Sequence, residues 1–362
     1  MRTAPMMAAL MCVFGAAASA SGQSVTPFYA DAYTATDLGT IAGVPTPLGG
    51  LWIDADQPGV MLIGGAANQG AGAIYRVQLV RDGQNRVTGF TGTPTLVSTA
   101  PNIDGGLARG PGGVLFFTQF PQNAVGQIKP GSTTPDRIVP LTPLGLPGST
   151  GSLIFTPPGF PGAGSLRIVS YSSGRWATAQ LTEAGDGTYL ISGLTQDPAV
   201  NLQGQPEGVV YVPRCSALFG QNSLAVSEYG AGLISTYVVD SAGNPVISTR
   251  RVMVTGVSGA EGAAVDPLTG DYLFSTFGGG NRVIRVSGFA RPQVCVADVV
   301  GIGGVPGGDG CVTGDDYIAF INAFSAGDLL ADVVGIGGER PGDGLLTGDD
   351  FIAFINAFAG GC

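Results

Sequence analysis

Histidine is absent from all 362 residues. That excludes Ser-His-Asp and Cys-His catalysis, imidazole-bound zinc and histidine pH switching. Chemistry must therefore run on carboxylates, amides or a hard metal, and the carboxylates fall into two patterned sets. The first is near the C-terminus, where A-D-V-V-G-I-G-G at Ala297 returns at Ala331 and each copy ends in D-G-x-[VL]-T-G-D-D. This spacing fits the second half of a twelve-residue calcium loop. Asp309 takes position 5, Gly310 the turn at 6, Cys311 a carbonyl ligand at 7, then Thr313, with Asp316 closing at 12. The second copy offers Asp343, Leu345, Thr347 and Asp350, and Asp298 and Asp332 open the two loops. Calcium takes six to eight hard oxygens, and such a loop wraps them round one point. Between Asp298 and Asp309 the chain carries a Gly/Pro-rich insertion, so no position 3 ligand is assigned. The competing reading is a helical hairpin whose carboxylates cap helices and face water.

The second set is spread along the chain. A glycine opening a short apolar strand recurs every ~45–55 residues, as in a repeat architecture. It is seen at Gly49, Gly105, Gly151, Gly208 and Gly262, and the residues before it are Leu48, Asp104, Thr150, Glu207 and Glu261. If the repeats are arranged about an axis, Asp104, Glu207 and Glu261 converge on one mouth of a central channel, where a divalent cation would relieve their repulsion. The alternative is that they bond backbone amides or line a wet channel.

Behind each glycine come a turn and further strands: Val60–Ile63, Val114–Thr118, Leu166–Tyr171, Leu224–Tyr229 and Tyr272–Phe277, then Ala73–Val77, Ala124–Ile128, Trp176–Leu181, Leu233–Val239 and Arg282–Val286. Three or four strands per unit predict an all-β protein, a β-propeller of five or six blades, with a solenoid or large sandwich as alternatives. The last unit lacks an outer strand, which Pro27–Thr34 could supply to close the ring. The 61 glycines and 25 prolines suit such a turn-rich fold. The net charge of −10 disfavours a nucleic-acid partner. Residues 1–24 read as a signal peptide, with Arg2, an apolar run from Met6 to Ala17 and the small-x-small site Ala18-Ser19-Ala20. That run is too short to span a membrane. The expected domains are thus the leader 1–24, a propeller 25–290 and a small α-helical module 291–362. Tyr317, Phe320, Ile321 and Phe324 mark the apolar face of the module's first helix. In a secreted chain Cys295 and Cys362, at the two ends of the module, are expected to form a disulfide, or Cys362 to serve as an anchor; the roles of Cys215 and Cys311 stay open.

The doubled loop–helix with its Gly361-Cys362 ending resembles the GC-type dockerin-like tails of planctomycete secreted proteins. That resemblance implies calcium as cofactor and a cohesin-like or cell-surface partner. Glu261-Gly262-Ala263-Ala264-Val265-Asp266-Pro267 with Gly270-Asp271-Tyr272-Leu273-Phe274 resembles NHL and gluconolactonase-like (SMP-30-like) propellers. In the lactonase-like members a Glu, an Asn and an Asp hold the metal; Glu207 and Glu261 match the Glu context, and no Asn or Asp is matched. The expected function is a secreted, non-catalytic binding protein displayed through its C-terminal module, with a saccharide or protein ligand on the propeller. The alternative is a metal-dependent lactonase-like hydrolase of sugar-derived substrates. Trp52, Trp176 and Tyr229 are candidate sugar-stacking residues, with core packing as their other fate.

Overall fold

The computed structural model describes residues 22–291, 295–301, 304, 308, 310–338 and 342–360; the leader up to residue 21, Asp309 and Cys362 lie outside the described residues. Two short strands come first, β1 (Ser24–Val25) and β2 (Thr34–Thr40). The first blade is β3 (Leu48–Ile53), β4 (Val60–Gly65), β5 (Ala73–Arg81) and β6 (Val87–Thr99). The second is β7 (Ile103–Arg109), β8 (Leu115–Gln119), β9 (Ala124–Ile128) and β10 (Arg137–Pro140). The third is β11 (Thr150–Phe155), β12 (Leu166–Ser170), β13 (Arg175–Glu183) and β14 (Tyr189–Asn201). The fourth is β15 (Pro206–Val212), β16 (Ser223–Glu228), β17 (Leu233–Val238) and β18 (Arg251–Thr255), with β1 added at its outer edge. The fifth runs β19 (Ala260–Val265), β20 (Tyr272–Thr276), β21 (Arg282–Ser287) and then β2, so the first and last parts of the propeller share one sheet. The fold is a five-bladed β-propeller.

The closing strand is later than expected. Pro27–Thr34 forms turns down to Tyr33, and Thr34–Thr40 makes the ladder with β21. Tyr29 and Tyr33 explain the displacement: both are buried in the wedge between blades four and five, with hydroxyls on Thr236 Oγ (2.9 Å) and the Ala217 carbonyl (2.6 Å). Ser24, placed above at the end of the leader, pairs with Thr255. A cut after Ala18-Ser19-Ala20 would leave it in the chain.

The core is five wedges rather than one centre. Each lies between neighbouring blades, because a blade strand is covered on both faces. In β16, Leu224 packs toward blade three and Ala225 toward blade five. This is why the second strands are apolar runs and not alternating patterns. The outer strands β6 and β14 face water and mix exposed with half-buried positions. Arg81 forks onto Asp266 at 2.7 and 3.0 Å, tying blade one to blade five beside the ring closure.

Helices α1 (Gly314–Ala326) and α2 (Gly348–Gly360) follow the propeller. Phe320 and Phe354 occupy matching repeat positions and stack at 3.8 Å in the module's own core. Thr313 is the N-cap of α1 and forms a capping box with Asp316, as the sequence spacing implies. A disulfide between Cys215 and Cys311, Cα atoms 5.6 Å apart, staples the first loop of the module to the loop after β15. Cys295 is also disulfide-bonded; Cys362, its expected partner, lies outside the described residues. No helix among the described residues is long and apolar enough to cross a membrane.

Candidate metal centre

The five repeat glycines follow the first residues of the inner strands, and each inner strand carries a register shift there. A β-bulge re-aims a side chain. Asp104, Glu207 and Glu261 sit within these bulges and turn inward; Leu48 and Thr150 hold the same place in blades one and three. The glycines explain themselves at this point. A Cβ on Gly151 would stand 2.1 Å from the Pro206 carbonyl oxygen, on Gly208 2.3 Å from that of Glu261, and on Gly262 2.6 Å from the Gly50 Cα. Backbone therefore meets backbone between neighbouring inner strands around the axis.

Asp104, Glu207 and Glu261 are 0%, 3% and 1% exposed, and one carboxylate oxygen from each lies within 4.8 Å of the others. Among the described residues this is the one group of three acidic or thiol side chains that converges so. Both oxygens of Asp104, Oε2 of Glu207 and Oε1 of Glu261 are buried without a hydrogen-bond partner. Buried acceptors left so are costly unless protonated or bound to a cation. Burial pushes the Asp104 carboxyl up to about 7, against the lowering influence of Glu261 first, then of Asn68, the Gly105 N–H and Glu207. Burial, and then the charge of Asp104, raises both glutamates well above the usual range.

The residues fit a hard divalent cation. An ion at the centre of the oxygen triangle lies at most about 2.8 Å from each, a span that suits the 2.3–2.6 Å of calcium. Asn68 stands beside Asp104 with its own Oδ1 buried and without a partner. Sequence reasoning missed Asn68, because it lies after β4 on a left-handed residue (φ 60°) and not at the repeat position.

Above the trio stands a row of rings. Leu48, Ile103, Thr150, Pro206 and Ala260 pair with Gly65, Gln119, Ser170, Glu228 and Thr276, so the residues just after the second strands lie at the same end as the carboxylates. Those residues are Ala66, Phe120, Tyr171, Tyr229 and Phe277. The four rings are half-buried. Successive centroids are 5.8, 5.9 and 6.1 Å apart. Tyr171 and Tyr229 are raised by burial and then by the charges of the trio, which places both within its field. Trp176 is core, Trp52 packs against the wedges beside it, and Tyr229 alone of the three sequence candidates belongs to the mouth. Nearby, Arg250 holds the buried Glu228, and Arg251 lies 3.8 Å over the Phe28 ring.

The C-terminal carboxylates are arranged differently. Asp298 Oδ2 accepts from the Gly310 N–H at 2.7 Å, and Asp332 from Asp343 and Gly344, so each loop folds back on its first residue despite the insertion. Asp343 accepts from Ile336 and Leu345. Asp316 accepts four bonds, from the Val299, Val300 and Thr313 N–H groups and the Thr313 hydroxyl. Asp350 repeats this with Val333, Val334 and Thr347. Cys311 joins the staple, and Leu345 is 56% exposed.

No family model and no curated protein matches this chain. Solved structures with a similar arrangement include a streptogramin B lyase, 12% identical over 70% of this chain and 97% of that one, TM-score 0.36. Another is the holo form of the pyranose dehydrogenase PQQ domain from Coprinopsis cinerea, 9% identical over 73% and 97%, TM-score 0.41. A third is an auxiliary nutrient binding protein from Bacteroides ovatus, 8% identical over 70% and 76%, TM-score 0.42. Likeness at this level carries no activity to this chain, whose reading rests on its own side chains.

Proposed function

We propose that this is a secreted, non-catalytic binding protein whose propeller holds a divalent cation, calcium by preference, at the channel mouth, and whose C-terminal module displays it on a cohesin-like or other cell-surface partner. The observation that carries the reading is the convergence of Asp104, Glu207 and Glu261, buried and with orphaned oxygens. A bound cation would compensate the buried charges of the trio. Secretion is supported by the Cys215–Cys311 bridge, a bond at home in an oxidising compartment. Calcium in the C-terminal loops is a separate and weaker proposal. Asp298 and Asp332 already close their loops, but calcium would have to draw Asp316 and Asp350 away from the bonds they accept.

The test is elemental analysis of the full chain after dialysis against calcium, compared with Glu207→Gln and Glu261→Gln. The expected result is one bound ion fewer per chain in either variant, with the wild type inert against a panel of sugar lactones. Equal metal content in all three proteins would remove the reading. Metal-dependent lactone turnover that disappears in both variants would replace the binder with a hydrolase, the ion then polarising the ester carbonyl or acidifying a bound water.

A further inference from the structure

The C-terminal module has a core of its own. Its buried apolar residues, Phe320 and Phe354 among them, form a cluster that contains no propeller residue. Two bodies with separate cores move relative to each other unless something fixes them. The chain between them is short: four residues, Arg291 to Val294, separate Ala290 from Cys295. Such a tether reaches up to about 14 Å when extended. Its propeller end lies opposite the carboxylates. Inner strand β15 starts beside Glu207 and ends at Val212, an advance of about 20 Å. Likewise β19 ends at Val265, which pairs with Tyr272, which in turn pairs with Val286 near the exit of β21. The loop after β15 and the exit of β21 therefore share the far end of the propeller. They also touch: the Ser216 hydroxyl accepts from the Ala290 N–H at 3.0 Å. The Cys215–Cys311 bridge is a second attachment to that same loop, with the Cys215 N–H donating to Cys311 Sγ at 3.3 Å. One attachment leaves a pivot, and two leave at most a hinge about one axis.

We infer that the Cys215–Cys311 bridge is an orientation lock. It holds the module at the far end of the propeller, so that a chain attached to a surface through the module points its channel mouth away from that surface. The use of the lock rests on the display reading above; the lock itself does not. The repeat shows what the bridge does to the module. Cys311 is 1% exposed, and Leu345, at the matching place in the second copy, is 56% exposed. Two loops of nearly the same sequence are thus made unequal: the bridge covers the first and leaves the second open. The bridge joins a loop of one body to a loop of the other, so it spans the joint and braces neither core. Cys215 is itself exposed, and its replacement removes no core contact.

The experiment is a distance measurement by pulsed electron paramagnetic resonance on the full-length protein. Nitroxides are attached through genetically encoded ketone residues at Ala71, exposed at the mouth end after β4, and at Ile318, exposed on α1. The expected result is one narrow distance distribution in the bridged protein. In Cys215→Ser, which leaves the module's sequence intact, the distribution should be at least about twice as broad, as a tether of roughly 14 Å allows. Cys311→Ala should behave in the same way, and both variants should keep the far-UV circular dichroism of the wild type at room temperature. An equally narrow distribution in both variants would mean that non-covalent contacts set the orientation, and overturns the inference. A broad distribution in the bridged protein overturns it too. Loss of the folded signal in both variants would make the bridge a brace for folding and not a lock. None of these readouts needs a partner, so failure to find one removes the display reading and leaves the lock standing.

Discussion

Asp104 and Asp316 are the same residue type at the same burial, 0% exposed in each case. Around Asp316 four donors converge on its two oxygens, and Asp350 repeats the arrangement in the second copy. Although burial pushes Asp350 up, the N–H groups of Val334, Thr347 and Val333 and the Thr347 hydroxyl together hold it below the usual carboxylate range. Around Asp104 the near neighbours are two more carboxylates, and its group is pushed up to about 7. Burial is therefore not what makes a candidate site. The C-terminal carboxylates do structural work that leaves their oxygens occupied, and the channel carboxylates have capacity left over. The sequence pattern alone ranks them the other way, because a motif repeated in register is easier to see than three acids scattered over 150 or so residues.

The largest expected effect would break the C-terminal side of this comparison. Asp316→Ala leaves the buried N–H groups of Val299, Val300 and Thr313 without acceptors, and should cost the module about 3 kcal/mol or more. Urea unfolding followed by far-UV circular dichroism would show it as an early loss of helix. Retention of wild-type helix stability would mean the four bonds are incidental.

Next in size is the opposite behaviour expected of the channel. In metal-free protein the trio has folded pKa values above the unfolded ones, 3.8 for Asp104. It thus contributes stability that is complete below about pH 4 and lost as pH rises through about 7, and further for the glutamates. Asp350 is held low, so its contribution is present above 3.8 and lost as pH falls. Melting temperature of the EGTA-treated protein should therefore drop between pH 5 and 8 and recover with calcium. Glu207→Gln with Glu261→Gln should flatten the drop and gain about 1–2 kcal/mol at pH 8 in the absence of metal. A flat profile in the wild type would mean that water or protons already satisfy the trio.

Much of this was legible beforehand and some was not. The glycine period located all five inner strands, because only glycine fits where Gly151 and Gly208 press on the next blade. The second and third strands were legible as apolar runs, since wedge packing covers both faces. Closure was misplaced by several residues because Pro27–Thr34 carries the apolar tyrosines that mimic a strand and serve as wedge filling. The Cys215–Cys311 bridge was out of reach, since cysteine pairing depends on how blade four meets the module. The row of rings Phe120, Tyr171, Tyr229 and Phe277 stands at unequal offsets from the repeat glycines, because turn lengths differ, and it aligns only when counted from the ends of the second strands.

Two smaller effects sharpen the contrast. Thr347→Val removes one hydroxyl from the Asp350 network and the cap of α2, and should cost about 1 kcal/mol, read from the helical transition. The smallest is calcium added to the Glu207→Gln, Glu261→Gln protein. With Asp316 and Asp350 committed to their N–H partners, the melting shift should be under about 1 °C, where a change of 1 kcal/mol would move it by several degrees. A large residual shift would assign calcium to the C-terminal loops after all.

The strand that closes the ring also sets a timetable for biogenesis. Asp37 on β2 and Arg282 on β21 form an ion pair across 245 positions of sequence. At about 5–20 residues per second, a ribosome needs roughly 10 to 50 s between making the first and the second. During that interval β2 has no sheet to join, and four blades exist with an open gap. A helper that shields strand edges, or export of the chain before it folds, would protect the protein in that window and would be unnecessary once the fifth blade is made.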